Sequence, residues 1–294
     1  MDILMLSWEY PPRVIGGVAP HVRNLARALV ERGERVTVIT APHPGLDPVT
    51  DDAGVEVRRV TASLPCPPDF PGEVLQFNLG LVEEALQLAA AGRSFDVIHC
   101  HDWLVAPAGR VLKHAWRRPL VATIHATEYG RNGGLHNPLQ HYINGVEWWL
   151  GYEAWRVITC SRYMSEEVCR VFQLPRDKVE IVPNGVHRWE FQLPAGPLEE
   201  IRRLRAPGGL LHHPILVFMG RLVWEKGVQD LIEAMPLIRA RFPQARLIVA
   251  GEGPMKDQLT GRVSELGLHD AVYFAGFVAG TNRNRLLALA DVAV

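Results

Sequence analysis

Paired glycines follow the first apolar run of the sequence and are the first candidates for ligand binding. The run at residues 3–6 leads through Trp8-Glu9-Tyr10 to Gly16 and Gly17, which precede a helical pattern. Paired glycines at a strand-to-helix turn let backbone amides approach an anion, and the N-terminus of the helix adds partial positive charge. A diphosphate would suit this turn, but a tight turn without a ligand requires the same glycines.

Two cations lie on either side of a later turn. Gly220-Arg221 ends the apolar run at residues 215–219, and Glu225-Lys226-Gly227 opens the next helical pattern. An arginine and a lysine at one mouth of a cleft would neutralise the phosphates of a nucleotide leaving group, whose charge grows as the bond to the sugar breaks. The alternative is a loop with two solvated basic residues.

Histidines close two successive apolar runs. His99-Cys100-His101-Asp102-Trp103 ends the first, and His125 follows the second, at residues 120–124. Open α/β sheets bind ligands at the carboxyl edge of their strands, which favours contacts with a sugar or an acceptor. The His-x-His pair also suits a metal, but the sequence offers no convincing further ligands at matching strand ends, and we predict no metal site. Structural histidines are the third alternative.

A third glycine-rich segment, Gly251-Glu252-Gly253, follows the run at residues 246–250. It lacks the third glycine of a dinucleotide-binding fingerprint, and Pro254 comes next, so an NAD site is excluded. We interpret the segment as a turn that offers backbone amides to a ligand.

Alternating strand and helix patterns position these candidates. Apolar, β-branched runs separated by helix-period segments predict βαβ units and a mainly parallel sheet covered on both faces. The predicted strands of the first half lie at residues 3–6, 36–40, 55–60, 97–100, 120–124, 157–160 and 179–182. Those of the second half lie at residues 215–219, 246–250, 272–275 and 292–294. The expected fold class is α/β, with two Rossmann-like doubly wound domains, the second incomplete.

Proline, glycine and charged residues between 184 and 213 predict a connection between the two domains. The first domain then spans residues 1–183 and the second, partial domain residues 214–294. A doubly wound sheet that stops at its fourth strand leaves an open apolar edge, and for that reason we expect the chain to be a fragment.

The composition excludes several functional classes. The 294 residues carry a net charge of -1 with basic and acidic residues interspersed, so no nucleic-acid interface is predicted. No apolar stretch approaches the ~18 residues of a membrane span, and the start of the chain does not suit a signal peptide. The cysteines are widely spaced, form no C-x-x-C pair, and in two cases lie in apolar strand-like runs, where a free cysteine behaves as a small hydrophobic residue. We therefore expect a cytoplasmic protein; the cysteines are Cys66, Cys100, Cys160 and Cys169.

Taken together, the motifs resemble those of family 4 glycosyltransferases with the GT-B fold, in their order and in their domain placement. They are Trp8-Glu9-Tyr10-Pro11-Pro12 with Gly16-Gly17, His99 to Trp103, Thr123-Ile124-His125, Val182-Pro183-Asn184-Gly185-Val186, Gly220-Arg221 with Glu225-Lys226-Gly227, and Gly251-Glu252-Gly253-Pro254. The first two segments are most similar to bacterial glycogen and starch synthases.

The resemblance implies a retaining transferase that moves a hexose, with glucose favoured, from an ADP- or UDP-sugar to a hydroxyl of a glucan or another sugar acceptor. It implies an acceptor side in the first domain, a donor side in the second, and no cofactor or metal. The nucleotide sugar is then a co-substrate.

The resemblance also assigns roles to individual residues. His125, Arg221 and Lys226 would act at the reaction centre. Glu9, His101 and Asp102 are weaker candidates for contacts with the sugar or the acceptor. The residues implied in donor binding are Gly16, Gly17, Arg221, Lys226, Gly251 and Gly253.

The sequence departs from the family pattern in two places. His187 stands where the family commonly has Asp, and the sequence ends before the Glu-x7-Glu segment that binds the ribose and the sugar of the donor in family members. An inactive fragment is therefore one alternative function. A nucleotide-sugar epimerase is another, whereas no lysine is marked for the pyridoxal phosphate that a phosphorylase requires.

Overall fold

Eight strands of the first half of the chain form one sheet in the computed structural model. In chain order they are β1 (Asp2–Ser7), β2 (Arg35–Thr40), β3 (Val49–Asp52), β4 (Val55–Arg59), β5 (Val97–His101), β6 (Leu120–Ile124), β7 (Arg156–Thr159) and β8 (Val179–Ile181). Across the sheet the order is β3-β4-β2-β1-β5-β6-β7-β8, and all neighbours are parallel except β3 and β4.

The structure describes residues 1–61, 69–206, 211 and 213–294, which divide into two compact units, 1–185 and 186–294. Cys66 and residues 207–210 and 212 of the predicted connection lie outside the described residues. The helices of the first unit are α1 (Val18–Glu31), α2 (Phe70–Ala90), α3 (Ala106–Trp116), α4 (Glu128–Asn132), α5 (Pro138–Glu153) and α6 (Arg162–Val171).

Residues 3–6 of strand β1 are all apolar because both faces of the strand are buried. Side chains alternate between the two faces of a strand, so Leu4 and Leu6 join one core while Ile3 and Met5 join the other. The first core contains residues of α2 and α3, and the second contains residues of α1. The prediction of a mainly parallel sheet covered on both faces is confirmed.

The direction in which strands are added reverses at β1. After β1 the chain adds β2 and then β4 on one side, and it crosses back through α2 to place β5 on the other side of β1. The loops that leave the carboxyl ends of β1 and β5 therefore diverge. Such a switch point is where open α/β sheets bind ligands.

The second unit contains a four-stranded parallel sheet in the order β11-β10-β9-β12. Its direction also reverses at its first strand, β9, with β10 on one side and β12 on the other. The strands are β9 (Ile215–Met219), β10 (Arg246–Ala250), β11 (Val272–Gly276) and β12 (Val292–Ala293). The helices are α7 (Ala195–Arg205), α8 (Val228–Arg241), α9 (Lys256–Glu265) and α10 (Gly280–Leu289).

Helix α7 lies within the predicted connection, and it packs on α10. The buried side-chain amide of Asn284 in α10 donates to the carbonyl oxygen of Glu190 at 2.7 Å. Residues 186–206 are therefore part of the second unit.

Candidate functional site

Three imidazoles from distant parts of the sequence meet at the carboxyl edge of the first sheet. His101 is the last residue of β5, His125 follows β6 directly, and His21 lies near the start of α1. The Nδ1 atom of His101 lies 3.3 Å from Nε2 of His125. The ring centroid of His21 lies 4.6 Å from that of His125 and 5.5 Å from that of His101. The sequence predicted a functional role for His101 and His125 but none for His21.

Burial keeps these imidazoles uncharged near neutral pH. It lowers the pKa of His21 and of His125 to about 4, and the pKa of His101 falls well below its ordinary value for the same reason. The neighbouring His99 is also buried, and its Nε2 lies 2.8 Å from the hydroxyl of Thr123. A neutral imidazole can donate one hydrogen bond and accept another, which suits it to a sugar hydroxyl.

Asp102 fixes the backbone that carries His125. The Oδ1 atom of Asp102 accepts a hydrogen bond from the His125 amide at 2.7 Å, and the carboxyl is buried. Burial raises the pKa of Asp102 to about 6, although the backbone hydrogen bonds from His125 and Ala126 oppose that shift. The sequence predicted a weak contact of Asp102 with sugar or acceptor. In this structure Oδ1 positions the loop of His125, and the predicted contact stays a prediction.

Two buried carboxyl groups that the sequence analysis missed support the same loop. Both carboxyl oxygens of Glu147, in α5, lie within 3.0 Å of the amide nitrogen of Glu128, the first residue of α4. Glu167, in α6, accepts a hydrogen bond from the hydroxyl of Thr127, which itself caps α4 through the amide of Gly130 at 2.9 Å. In the sequence both glutamates lie in helical patterns that look like ordinary solvated faces.

The paired glycines lie where the sequence predicted, between β1 and α1, but one of their amides is already occupied. Buried Glu9 accepts hydrogen bonds from Ile15 at 2.5 Å and from Gly16 at 3.0 Å through the same carboxylate oxygen. Glu9 thus holds the loop in shape through one carboxylate oxygen, and its predicted contact with sugar or acceptor stays a prediction. Gly17 is exposed at the N-cap of α1, and no described residue accepts a hydrogen bond from its amide.

Neither glycine needs to be glycine for steric reasons. A Cβ atom at Gly17 would meet nothing within 4 Å, and one at Gly16 would meet only a Glu9 oxygen at 3.9 Å. Gly17 has φ −73° and ψ −13°, a conformation open to any residue.

In the second unit, Arg221 and Lys226 lie on the loop between β9 and α8, and both are exposed. The guanidinium of Arg221 lies 3.6 Å from a carboxylate oxygen of Glu225. Exposed ion pairs of this kind stabilise a protein by about 0–1 kcal/mol, so a phosphate could replace Glu225 at little cost. Lys226 ends a short 3-10 turn that Gly227 closes with a positive φ of 67°.

Gly251 and Gly253 lie after β10, where their role is close packing of two loops. A Cβ atom at Gly251 would collide with the carbonyl oxygen of Gly220, and one at Gly253 would collide with the backbone of Leu222. The Gly251 amide donates to the carbonyl oxygen of Gly276 at 2.8 Å. The two glycines fix the loop that carries Arg221, and their predicted contact with the donor stays a prediction.

The predicted site residues therefore fall into two groups, one in each unit. Glu9, Gly16, Gly17, His101, Asp102 and His125 lie at the carboxyl edge of the first sheet, and Arg221, Lys226, Gly251 and Gly253 at that of the second. A separate basic depression of about 580 Å³ contains Arg117, Arg118 and Trp155. These residues precede β6 and β7, at the opposite edge of the first sheet from the histidines.

Among the residues that the structure describes, no helix combines the length and the apolar character needed to cross a bilayer. Their three cysteines, Cys100, Cys160 and Cys169, are all free thiols.

Two family models match the chain, and together they cover most of it. Glycosyltransferase Family 4 matches residues 15–189, and Glycosyl transferases group 1 matches residues 201–294. The matched segments contain His21, His101 and His125 in the first model and Arg221 and Lys226 in the second.

Curated relatives and a solved structure agree with this result. The chain is 40% identical, over its whole length and 74% of the relative, to the uncharacterized glycosyltransferase MJ1607 of Methanocaldococcus jannaschii. It is 36% identical to the glycogen synthase of Mycobacterium tuberculosis, over its whole length and 72% of that protein. The HepE structure from Anabaena, in complex with UDP and glucose, matches 100% of this chain and 73% of its own, with a TM-score of 0.70 and 21% identity. The chain belongs to glycosyltransferase family 4 and has the GT-B fold.

Proposed function

We propose that the protein transfers a hexose, with glucose favoured, from an ADP- or UDP-sugar to an acceptor hydroxyl, with retention at the anomeric carbon. The observation that carries the proposal is the neutral His125 imidazole, which lies at the carboxyl edge of the first sheet and whose backbone is held by the buried Asp102 carboxyl. The names of the relatives support the reaction type, since one is a glycogen synthase and a structural neighbour was solved with UDP and glucose.

In the first unit, we assign His125 to the transferred sugar. An uncharged imidazole can donate to a sugar hydroxyl without adding a positive charge beside a sugar that becomes cationic in the transition state. Asp102 acts through the His125 amide and is a positioning residue. The free amide of Gly17, at the N-terminus of α1, is assigned to the donor diphosphate.

In the second unit, we assign Arg221 and Lys226 to the phosphates of the donor. Both side chains are exposed on a loop after a central parallel strand, and among the described residues Arg221 has one weak exposed ion-pair partner, Glu225. Two fixed cations stabilise the charge that develops on the leaving diphosphate, which is the service that Mg²⁺ provides in other transferases. Transfer in this proposal therefore requires no cofactor or metal.

The acceptor in this proposal is a glucan or another sugar, and the reaction belongs to glycogen-like biosynthesis in the cytoplasm. The relative named glycogen synthase supports the glucan, and the free thiols of Cys100, Cys160 and Cys169 support a reducing compartment. The departing phosphate is assigned as the base for attack on the same face of the sugar, so that no nucleophilic carboxylate is required.

Calorimetric titration with ADP-glucose and UDP-glucose, beside ADP and UDP, tests the donor assignment. We expect one nucleotide series to bind, with the sugar form binding more tightly than the free nucleotide. Incubation with the preferred donor and maltooligosaccharides should then lengthen the acceptor, and NMR of the product should show an α-linkage from an α-donor. Isomerised free nucleotide sugar without an acceptor would identify an epimerase, and no binding of either series would refute the proposal.

A further inference from the structure

We propose that His21, His101 and His125 form a binding site for a zinc-like divalent cation, and that the bound cation closes the sugar site of the first unit. The chemistry is that of a three-histidine centre with a fourth position open to water. The second half of the proposal rests on the contact between His125 and the transferred sugar, whereas the first half rests on the three side chains alone.

The geometry of the cluster carries the site. Each of the three imidazoles offers one nitrogen, and the three nitrogens lie within 4.8 Å of one another. Two nitrogens bound to one tetrahedral zinc ion at about 2.0–2.1 Å lie about 3.3 Å apart. The separation of 3.3 Å between Nδ1 of His101 and Nε2 of His125 equals that distance.

The burial of the ligands is also suitable. A metal binds through the lone pair of an imidazole nitrogen, and His101 is buried while His21 and His125 are half-buried. Nε2 of His21 is buried, and no described residue forms a hydrogen bond with it. Buried polar atoms of this kind are uncommon and call for an explanation, which a cation bound at Nε2 of His21 provides.

The surroundings contain one group that favours a cation and one that opposes it. The carboxyl of Asp102 is close enough to His21 to attract a positive charge, and Arg131 is close enough to His125 to repel one. Cys160 Sγ lies 3.9 Å from Nδ1 of His125, the nitrogen on the far side of that ring from His101. Cys160 can therefore act as the outer partner that orients the ring of His125 as a metal ligand.

The alternative explanation of the same cluster is a hydrogen bond between the neutral imidazoles of His101 and His125, with no ion bound. A visible spectrum of Co²⁺ distinguishes the two, because cobalt in a tetrahedral site is intensely coloured and the hydrated ion is pale. The chain is first freed of metal with EDTA and then titrated with Co²⁺. We expect an intense spectrum that saturates at one equivalent and is lost when Zn²⁺ is added, and a pale octahedral spectrum would overturn the site.

Variants then test which residues bind the ion. His21→Gln and His101→Gln should each weaken Zn²⁺ binding by more than about 100-fold in calorimetry, since even outer partners of metal ligands contribute about 10- to 100-fold. His114→Gln is the matched control, because His114 is a half-exposed partner of Glu153 on helix α3 and should leave the affinity unchanged. Wild-type affinity in both site variants would overturn the assignment, and the wild-type cobalt spectrum decides the case if a variant fails to fold.

Closure of the sugar site is measured by comparing UDP-glucose with UDP. Zn²⁺ should reduce the affinity for UDP-glucose relative to the affinity for UDP in the wild type, and it should leave this ratio unchanged in His101→Gln. Because Zn²⁺ also binds the diphosphate of both ligands, taking the ratio removes that contribution. If Co²⁺ gives the intense spectrum but the affinity ratio does not change with Zn²⁺, the cation binds without closing the sugar site. If the metal-free chain binds no nucleotide sugar, the proposed function is refuted, but the cobalt spectrum still tests the cation site.

Discussion

Asp102 adopts a backbone conformation that other residues avoid. Its φ of 60° and ψ of 176° lie in a region used almost only by glycine, at a cost of about 1–3 kcal/mol. The conformation is held from two sides, because the Asp102 amide donates to the carbonyl oxygen of Thr123 at 3.0 Å and its carboxyl accepts from the His125 amide. Strain at the residue that positions the loop of His125 fits a role in function.

Replacement of Asp102 tests that role. Asp102→Ala leaves the His125 amide without its acceptor and should lower the free energy of unfolding by about 1–3 kcal/mol. Asp102→Asn keeps an acceptor oxygen and should lose less. Urea unfolding gives the stabilities, and calorimetry with the preferred nucleotide sugar should show weaker binding for Ala than for Asn. An alanine variant with wild-type stability and affinity would contradict the role.

Arg221 and Lys226 should contribute to nucleotide binding separately from the histidines. Arg221→Ala or Lys226→Ala should weaken binding of the free nucleoside diphosphate about 10- to 100-fold, the effect of one lost charged hydrogen bond. Glu225→Ala is the control, since it removes only the exposed partner of Arg221. Calorimetry with UDP and ADP measures the change, and unaltered affinity in both cation variants would refute the phosphate assignment.

At the scale of elements, α4 is a short helix of five residues held by buried acids. Burial raises the pKa of Glu147 to about 8, and repulsion from Asp102 and Glu128 adds to the shift. A carboxyl with a raised pKa binds its proton more tightly in the folded state. Its contribution to stability is therefore complete below pH 4.5 and is lost as the pH rises through about 8.

Glu147→Gln should flatten this pH dependence. Glutamine keeps an oxygen that can accept from the Glu128 amide but carries no charge. We expect the wild type to lose on the order of 1–4 kcal/mol of stability from this group between pH 5 and pH 8, at about 1.4 kcal/mol per pKa unit, and the variant to lose less. Urea unfolding across that range measures the difference, with Glu166→Gln as an exposed control on α6. Parallel pH profiles for wild type and Glu147→Gln would contradict the expectation.

An edge strand, β3, and one histidine of the cluster, His21, were not predicted from the sequence. Apolar runs predicted every strand that is buried on a sheet face, but β3 was missed because Val49–Asp52 is largely polar and lies at the antiparallel edge. That edge matters, since Asp52 accepts a hydrogen bond from the hydroxyl of Tyr10 at 2.8 Å. His21 was missed as a member of the cluster because only the tertiary fold brings α1 to the ends of β5 and β6.

At the scale of the whole molecule, the two units have separate hydrophobic cores. Residues of the first unit form two clusters around its sheet, and residues of the second form one. Because the cores are separate, the two units can unfold in separate steps. A ligand that binds only the folded state stabilises the unit it contacts by about 2.7 kcal/mol at a concentration of 100 Kd.

Differential scanning calorimetry should show this independence. We expect two overlapping transitions, of which UDP or ADP raises the one that belongs to residues 186–294 more strongly. Arg221→Ala should remove most of that shift and leave the other transition in place. One transition that never depends on nucleotide would contradict the assignment of the phosphates to the second unit.

The open space around Gly17 has a consequence for how the sequence can change over generations. In a library of random variants selected only for correct folding, Gly251 and Gly253 should be retained, because any side chain there collides with a neighbouring loop. Gly17 should drift freely under the same selection, since a methyl group there meets nothing. If a second selection, for sugar transfer, restores glycine at position 17, the pressure that keeps it comes from the substrate and not from the fold.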